Sequence, residues 1–288
     1  MDPRNEAVKL LDELGLDSLP IIPRNICEKL GIFYIEKSLK EIDGILFLDH
    51  ALNGMICVNS TINEIGRKNF TGAHELGHFC LDTFDSNSFF CPRSSIGTNS
   101  KSNSPIELRA NEFAAELLMP RSVFLKLVEE HDPGWDNIMK LSEMSQTSKL
   151  ATVIRYIELT EESCALLVCE KNKLAWFRAA KNFNLYIDMD NRDVPSDTQT
   201  FAALKGDIPD DLFDSVKANI WVAGKKLKSH SEILEWALPI NSYGQVLTLL
   251  YDEDGLGDCE DEDEESLNNT DDEWPWEPPT FHKSKRKR

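Results

Sequence analysis

Apolar side chains recur at helical spacing through the first half of the chain and form short strand-like runs in the second half. Spacings of three and four residues predict helices at 5–14, 24–30, 70–81, 105–120, 121–131 and 134–158. Between the second and third of these helices, short apolar runs predict strands at 32–35, 44–48 and 55–59. The first half is therefore predicted to pack one small antiparallel sheet against helices.

Short strands are predicted to dominate after residue 163, at 164–169, 173–178, 183–187, 220–225, 237–240 and 245–251. The sequence Asn241-Ser242-Tyr243-Gly244 is a turn signal that joins the last two strands as a hairpin. These elements predict a second α+β domain. Its large aromatic side chains are interpreted as core residues rather than as the lining of a pocket: Trp176, Trp221, Trp236 and Tyr243.

The distribution of charge limits the kinds of partner. The chain has a net charge of -19, and residues 1–251 alone carry a net charge of -10, which repels DNA phosphates. We therefore expect no direct nucleic-acid binding. Residues 252–277 contain 14 acidic and no basic side chains, and 283–288 contain five basic ones, so 252–288 are predicted to form a disordered tail. The tail serves either as an interaction segment or as a solvating one.

Hydropathy and cysteine usage predict a cytoplasmic protein. No apolar run approaches the roughly 18 residues of a membrane helix, and the chain does not open on a signal peptide. The seven cysteines include no Cys-x-x-Cys pair, so they are interpreted as reduced thiols.

The segment His74-Glu75-Leu76-Gly77-His78 carries the strongest chemical signal. Residues four apart share one face of a helix, so His74 and His78 can bind one metal ion, with Glu75 beside it. Zinc held by two histidines and a carboxylate activates water, and a neighbouring glutamate can take the proton of that water. This pattern predicts Zn2+ as cofactor and peptide-bond hydrolysis. Gly77 is unfavourable inside a helix, which predicts that a second helix packs closely against it.

The third metal ligand is predicted on the helix between Pro105 and Pro120. Glu107, Ala110, Asn111 and Ala114 form one stripe, whose alanines allow close approach to the histidine helix. Glu107 is therefore the preferred ligand, with Asp82, Glu112 and His131 as rivals. Asp82 is alternatively interpreted as a partner that orients a ligand histidine. Asn111 is interpreted either as such a partner or as a polar helix residue that bonds to nearby backbone. A second stripe with alternating charge is interpreted as a solvated face: Arg109, Glu112 and Glu116.

These two blocks resemble a known family. The first runs Arg67-x-x-Phe70-Thr71-x-Ala73-His74-Glu75-x-Gly77-His78, and the second runs from Glu107 through Ala110-Asn111 to Leu118-Met119-Pro120. Together they are similar to the ImmA/IrrE group of zincin-like metallo-endopeptidases, over roughly residues 1–130. The resemblance implies His74, His78 and Glu107 as zinc ligands and Glu75 as the general base, in agreement with the spacing argument.

The resemblance also implies a regulatory purpose. Members of the family cleave a helix-turn-helix repressor in response to DNA damage or another stress, and many belong to mobile elements. Only about 65 residues precede the histidine helix and none resemble a helix-turn-helix, so the repressor or antitoxin is expected to be a separate protein. The expected function is a zinc endopeptidase of narrow specificity. The alternative is a non-proteolytic zinc-binding regulatory or toxin-antitoxin partner.

The predicted fold class is α+β with four segments. Residues 1–130 form the metallopeptidase domain, 131–160 a helical segment, 161–251 a second and smaller α+β domain that could be a sensor, and 252–288 the tail. Residues 141–155 have a helix-turn-helix rhythm, for which a packing or partner-docking role is favoured over DNA recognition. Residues 83–105 are predicted to be a mobile loop, either a lid or a plain surface loop. A free edge of the sheet could hold an extended substrate by backbone pairing.

Overall fold

The computed structural model describes residues 2–49, 53–82, 88–92, 104–187, 193–207, 212–223, 227–240 and 244–256, with backbone alone at 88–92. The chain divides into two compact units. Among the described residues, the first unit contains 2–126 and 141–152, and the second contains 127–140 and 153–256. The mixture of helices and sheets confirms the predicted α+β class.

The first unit contains the helices α1 (Pro3–Leu14), α2 (Pro23–Lys29), α3 (Ile65–Asp82) and α4 (Pro105–Leu118). Three further helices follow along the chain, and each has residues in both units: α5 (Arg121–Glu129), α6 (Trp135–Ser145) and α7 (Lys149–Leu159). Local signals explain where several of them start and stop. Asp2 accepts a hydrogen bond from the backbone nitrogen of Arg4, and Gly15 ends α1 in the left-handed region at φ 63°. None of the helices in the described ranges is long and apolar enough to cross a membrane.

The sheet of the first unit has the strand order β1-β3-β2-β4. Its strands are β1 (Phe33–Lys37), β2 (Ile42–Leu48), β3 (Gly54–Asn59) and β4 (Ser88–Pro92). The prediction of an antiparallel sheet is wrong at one pair, because β1 runs parallel to β3. The chain reverses direction between β1 and β2 and again between β2 and β3, and β1 then pairs with the outer side of β3, so both run the same way.

The loop predicted at 83–105 is interrupted by strand β4, which pairs antiparallel with β2. Strand β2 is therefore paired on both sides, and the edges of this sheet are β1 and β4. Residues 83–87 and 93–103 of that predicted loop, the turn at 241–243 and the predicted tail from residue 257 onward lie outside the described residues. The first five residues of the predicted tail, 252–256, are described, and Asp252 is buried and accepts a hydrogen bond from the backbone nitrogen of Leu256.

One face of this sheet packs on α3. Leu46, Ile56 and Val58 are fully buried, and a Cβ built on Gly54 would lie 2.8 Å from the ring of Phe79. The sheet thus supports one side of α3, while α4 packs against another side of it.

The close approach of α3 and α4 occurs at Gly77. A Cβ built on Gly77 would lie 3.2 Å from the Cα of Ala110 and 3.2 Å from the ring of Phe113. This confirms the prediction that a second helix lies against the glycine. Both Ala110 and Ala114 are fully buried, as small residues at a tight helix contact should be.

The turn between α6 and α7 also packs on α3. It contains Gln146, Thr147 and Ser148, with Gln146 at φ 51°. The Asn69 side chain donates to the Gln146 carbonyl oxygen over 3.1 Å, and a Cβ on Gly66 would come within 2.5 Å of the Thr147 and Ser148 backbone. The helix-turn-helix rhythm is present, and its packed turn supports the interpretation that this segment has a packing role.

The second unit is built on a five-stranded antiparallel sheet of order β6-β5-β11-β10-β8. Its strands are β5 (Cys164–Glu170), β6 (Lys173–Ala179), β8 (Asp214–Lys217), β10 (Glu232–Ile240) and β11 (Gln245–Tyr251), with a separate pair β7 (Tyr186–Ile187) and β9 (Val222–Ala223). Helix α8 (Gln199–Lys205) and strand β8 were not predicted from the sequence. Both are short, and neither has a sustained apolar period.

Buried aromatic and polar side chains organise this second unit. Trp221 and Trp236 are each 7% exposed, which agrees with their interpretation as core residues, whereas Trp176 is only half-buried and Tyr243 lies outside the described residues. Glu235 is fully buried and accepts hydrogen bonds from the Thr200 backbone nitrogen, the Thr200 hydroxyl and the Trp221 indole. These bonds attach the start of α8 to the sheet.

Substitution of Gly77 by residues of increasing size tests the contact between α3 and α4. We expect Gly77→Leu to lower the free energy of unfolding by about 1–3 kcal/mol, because overpacking forces the two helices apart. The free energy of unfolding of Gly77→Ala should lie between those of Gly77→Leu and wild type. Thermal and urea denaturation measure the series, and a Gly77→Leu protein as stable as the alanine variant would contradict the close packing.

Candidate metal centre

Two histidines of α3 form one side of the candidate site. His74 and His78 lie one turn apart, both are fully buried, and their Nε2 atoms are 3.1 Å from each other. The rings meet edge to face, with centroids 4.7 Å apart. The i, i+4 spacing read from the sequence thus places both imidazoles at one point, as predicted.

Helix α4 brings a carboxylate to the same point. Glu107 Oε2 lies 3.4 Å from His74 Nε2, and Glu107 Oε1 lies 3.5 Å from His78 Nε2. The Glu107 side chain is 15% exposed, the only one of the three donors with any exposure. Among the described residues, His74, His78 and Glu107 form the one group of three or more His, Cys, Asp or Glu side chains close enough to hold a metal ion.

The other nitrogen of each histidine faces a polar partner. His74 Nδ1 lies 3.0 Å from Asn111 Oδ1, and His78 Nδ1 lies 3.1 Å from Asp82 Oδ2. Because both partners are hydrogen-bond acceptors, each Nδ1 donates its proton, and in the neutral form of each ring Nε2 keeps the lone pair that a metal ion would accept. Asp82 and Asn111 therefore lie where a partner that orients a ligand histidine should lie, which was one of the two interpretations of each.

Glu112 and His131, the remaining alternative ligands, lie outside the group of His74, His78 and Glu107, which we call the metal-competent group. Glu112 is half-buried on α4, and His131 has its Nδ1 2.7 Å from the carbonyl oxygen of Leu127 in the preceding turn. Neither belongs to the cluster formed by the two histidines and Glu107.

The predicted solvated face of α4 is wrong. Arg109 lies across α3 and α4, with its Nη1 3.2 Å from Asp82 Oδ1. Glu116 is 4% exposed, and its Oε1 accepts a hydrogen bond of 2.8 Å from the backbone nitrogen of Arg121. The charge pattern alone assigned Arg109 and Glu116 to solvent, but Arg109 forms an ion pair with Asp82 of α3 and Glu116 binds the first backbone nitrogen of α5.

Burial and mutual contacts shift the pKa values of the three donor side chains. Burial lowers the pKa of His74. Burial also opposes the charged form of His78, but hydrogen bonds to Asp82 and Glu107 and the charges of Glu75 and Glu107 outweigh it and raise the pKa of His78 to about 9. Burial alone would raise the pKa of Glu107, yet its hydrogen bonds to both histidines lower it to about 2. The cluster therefore favours a positive charge between its donor atoms.

The donor geometry fits a metal ion. In a tetrahedral site with bonds of roughly 2.1 Å, neighbouring donor atoms are about 3.4 Å apart. The two Nε2 atoms are 3.1 Å apart, and each has a Glu107 oxygen nearby, Oε2 at 3.4 Å from His74 and Oε1 at 3.5 Å from His78. With one ligand atom taken from each residue, all donor atoms lie within 4.8 Å of one another. Two imidazole nitrogens and a carboxylate oxygen are common ligands of divalent transition metals, so the site could hold such an ion.

Glu75 lies on the sheet side of α3, away from α4. It is fully buried, and its charge contributes to the raised pKa of His78. A Cβ built on Gly44 of β2 would overlap Glu75 Oε1 and would come within 2.7 Å of Thr71 Cγ2. The bare backbone of β2 at Gly44 therefore lies directly against the Glu75 carboxylate. Sequence reasoning missed Gly44, because strand pairing and packing determine its position.

Comparison with known proteins agrees with this geometry. Residues 27–155 match the sequence model of the peptidase family M78, described as the IrrE N-terminal-like domain. The matched part contains the two histidines, Glu75 and Glu107, and it extends beyond residue 130 through most of α7. No curated protein matches the chain at a significant level.

A solved structure shares the fold. A Mycobacterium tuberculosis transcriptional regulator superposes with a TM-score of 0.56 at 12% sequence identity, over 87% of this chain and 76% of that one. At this identity the likeness concerns the fold alone. The sequence match confirms the resemblance to the ImmA/IrrE family for the part of the chain that it covers: residues 27–155, a little under half of the chain, match the IrrE N-terminal-like domain.

Proposed function

We propose that this protein is a zinc-dependent endopeptidase of narrow specificity that cleaves a regulatory protein. The observation that carries the proposal is the convergence of His74, His78 and Glu107 at donor separations of 3.1–3.5 Å, with Glu75 on the same helix. Membership of a peptidase family supports the same reaction class.

The donor set favours zinc as the ion. Two neutral imidazoles and one carboxylate, with the fourth position left for water or substrate, are the ligand set of many catalytic zinc sites. A zinc ion bound there supplies a Lewis acid that polarises a peptide carbonyl and lowers the pKa of water. Asn111 and Asp82 hold the two imidazoles with Nε2 toward the ion, so little ordering of ligands is needed on binding.

Glu75 is the proposed general base. Its carboxylate accepts the proton of the attacking water and then donates it to the nitrogen of the leaving amine. The position of Glu75 in a buried pocket between α3 and β2 restricts its rotamers and excludes bulk solvent. A carboxylate held in this way is close to its working geometry before substrate binds.

The proposed substrate is a helix-turn-helix repressor or an antitoxin, supplied as a separate protein. This proposal rests on the family, whose members act on such regulators, and on the net charge of -10 over residues 1–251, which disfavours direct DNA binding. The low exposure of all three donors supports narrow specificity, because little of the site is open to solvent. A stress or mobile-element response is the proposed setting.

A reducing compartment such as the cytoplasm is the proposed location. Each cysteine whose side chain the structure describes is a free thiol: Cys27, Cys57, Cys80, Cys164 and Cys169. Free buried cysteines are typical of proteins in reducing compartments.

The proposed mechanism predicts a separation between metal binding and cleavage. Glu75→Gln should bind zinc as wild type does and lose cleavage by about 10²–10⁴-fold, because the amide cannot accept the proton. His78→Ala should lose both properties, since it removes a ligand. The measurement is co-expression with the small regulator encoded beside the gene, followed by gel analysis, amino-terminal sequencing of new fragments and zinc determination.

Each outcome of that experiment has a defined meaning. Fragments formed by the wild type alone establish the peptidase. An intact regulator that co-purifies with wild type and Glu75→Gln in equal amounts would replace the proposal with the alternative of a non-proteolytic zinc-binding partner. Cleavage by Glu75→Gln at the wild-type rate would contradict the role of the base.

Removal of either orienting side chain should weaken the zinc site without removing a ligand. Asn111→Ala and Asp82→Ala are each expected to lower zinc affinity by roughly 10–100-fold, because the imidazole they hold gains rotational freedom. Competition with a chromogenic chelator gives the affinity. Glu112→Ala on α4 is the matched control, since Glu112 is outside the metal-competent group. Unchanged affinity in both orienting variants would show that the histidines need no such support.

A further inference from the structure

We propose that Gly44, Asp43 and Arg67 form a positioning device that fixes the Glu75 carboxylate independently of the metal ligands. The inference rests on the proposed function, since it assigns to these residues the placement of the general base. Nothing in the ligand geometry requires them, because the ligands and their hydrogen-bond partners come from α3 and α4.

A stripe of α3 faces strand β2. Arg67, Thr71 and Glu75 are spaced four residues apart and therefore share one side of the helix. Arg67 contacts Asp43 of β2, and both Thr71 and Glu75 lie against Gly44. The Thr71 hydroxyl donates to the Arg67 carbonyl oxygen over 3.0 Å, so its methyl group is directed at the strand. The base thus belongs to the stripe of α3 that contacts β2.

Strand β2 is irregular at this point. Ile42 pairs with Pro92 and Gly44 with Cys91, so Asp43 is an extra residue in β2 relative to β4. Such a bulge alters the direction in which neighbouring side chains project, and bulges are frequent beside active sites. Here the bulge brings the Asp43 carboxylate to α3 and leaves the next residue, Gly44, beneath Glu75.

The Asp43–Arg67 pair secures the bulge to the helix. Asp43 is fully buried, and its Oδ2 accepts hydrogen bonds from Arg67 Nε at 3.0 Å and Nη2 at 2.6 Å. Burial of a carboxylate is costly unless a partner of this kind forms hydrogen bonds to it. The pair lies two helical turns before Glu75 and therefore fixes the distance between β2 and the stripe that ends at the base.

Gly44 completes the device because any side chain there would occupy the space of the carboxylate. An added Cβ would overlap Glu75 Oε1, and it would also come within 2.7 Å of Thr71 Cγ2. The Thr71 methyl is held by the helix, so the flexible Glu75 side chain is the group that must move. A methyl at residue 44 should therefore displace the base and leave His74, His78 and Glu107 in place.

The test compares two glycines of the same sheet. Gly44→Ala inserts a methyl against Glu75, whereas Gly54→Ala inserts one against Phe79, on the same face of the sheet and against the same helix. Gly54→Ala is thus a matched control for the general effect of pushing α3 away from the sheet. Both variants and wild type are loaded with zinc, and their crystal structures, zinc affinities and thermal midpoints are compared.

The expected result is specific to Gly44→Ala. Its Glu75 carboxylate should be displaced from the wild-type position, with zinc affinity within about threefold of wild type and a thermal midpoint close to that of Gly54→Ala. With the regulator that wild type cleaves as substrate, kcat should fall by about 100-fold or more, as expected for a misplaced base, while KM changes little. Gly54→Ala should keep the wild-type Glu75 position and most of kcat.

Substitution of Arg67 gives a second test, which does not require that the Gly44→Ala protein folds. Arg67→Ala should lower kcat without changing zinc affinity, and Arg67→Lys should restore part of the loss because it keeps a charged donor for Asp43. A zinc-loaded Gly44→Ala or Arg67→Ala protein with Glu75 in its wild-type position would overturn the inference. The crystallographic result decides it even if wild type proves to have no peptidase activity, so failure of the proposed function and failure of the positioning device are distinguishable.

Discussion

The close packing of α3 and α4 is the constraint on which the candidate centre depends. The histidines belong to α3 and Glu107 to α4, and the helices can bring these donors within 3.5 Å only because Gly77 meets the backbone of Ala110 without a side chain between them. Glycine within a helix costs roughly 0.5–1 kcal/mol relative to alanine. That cost is offset here by the contact that assembles the site.

The assembled donors then impose an electrostatic requirement. Two imidazole nitrogens and a carboxylate converge in a buried space, and their mutual repulsion is relieved by a cation or a proton between them. The raised pKa of His78 and the lowered pKa of Glu107 are the response of the cluster when a proton supplies that charge. Asn111 and Asp82 orient the rings, and Arg109 in turn contacts Asp82, so the site is stabilised by a layer of polar contacts around it.

The parts predicted from sequence are those set by local periodicity. The positions of His74, His78 and Gly77 on α3 and of Glu107 on α4 follow from residues three and four apart, and a helix preserves such spacing whatever surrounds it. What the sequence did not predict depends on pairing between distant segments. The parallel β1–β3 pair, the bulge at Asp43 and the burial of Glu116 result from strand register and tertiary contacts, which no local pattern encodes. For the same reason Gly44 carried no visible signal, although it contacts the proposed base.

Binding of a zinc ion between His74, His78 and Glu107 can be observed by X-ray diffraction from zinc-loaded crystals, with data collected on both sides of the zinc absorption edge. We expect one strong anomalous peak within about 2.0–2.2 Å of both Nε2 atoms and a Glu107 oxygen. A peak at another group of side chains, or none at this position in crystals grown with equimolar zinc, would contradict it.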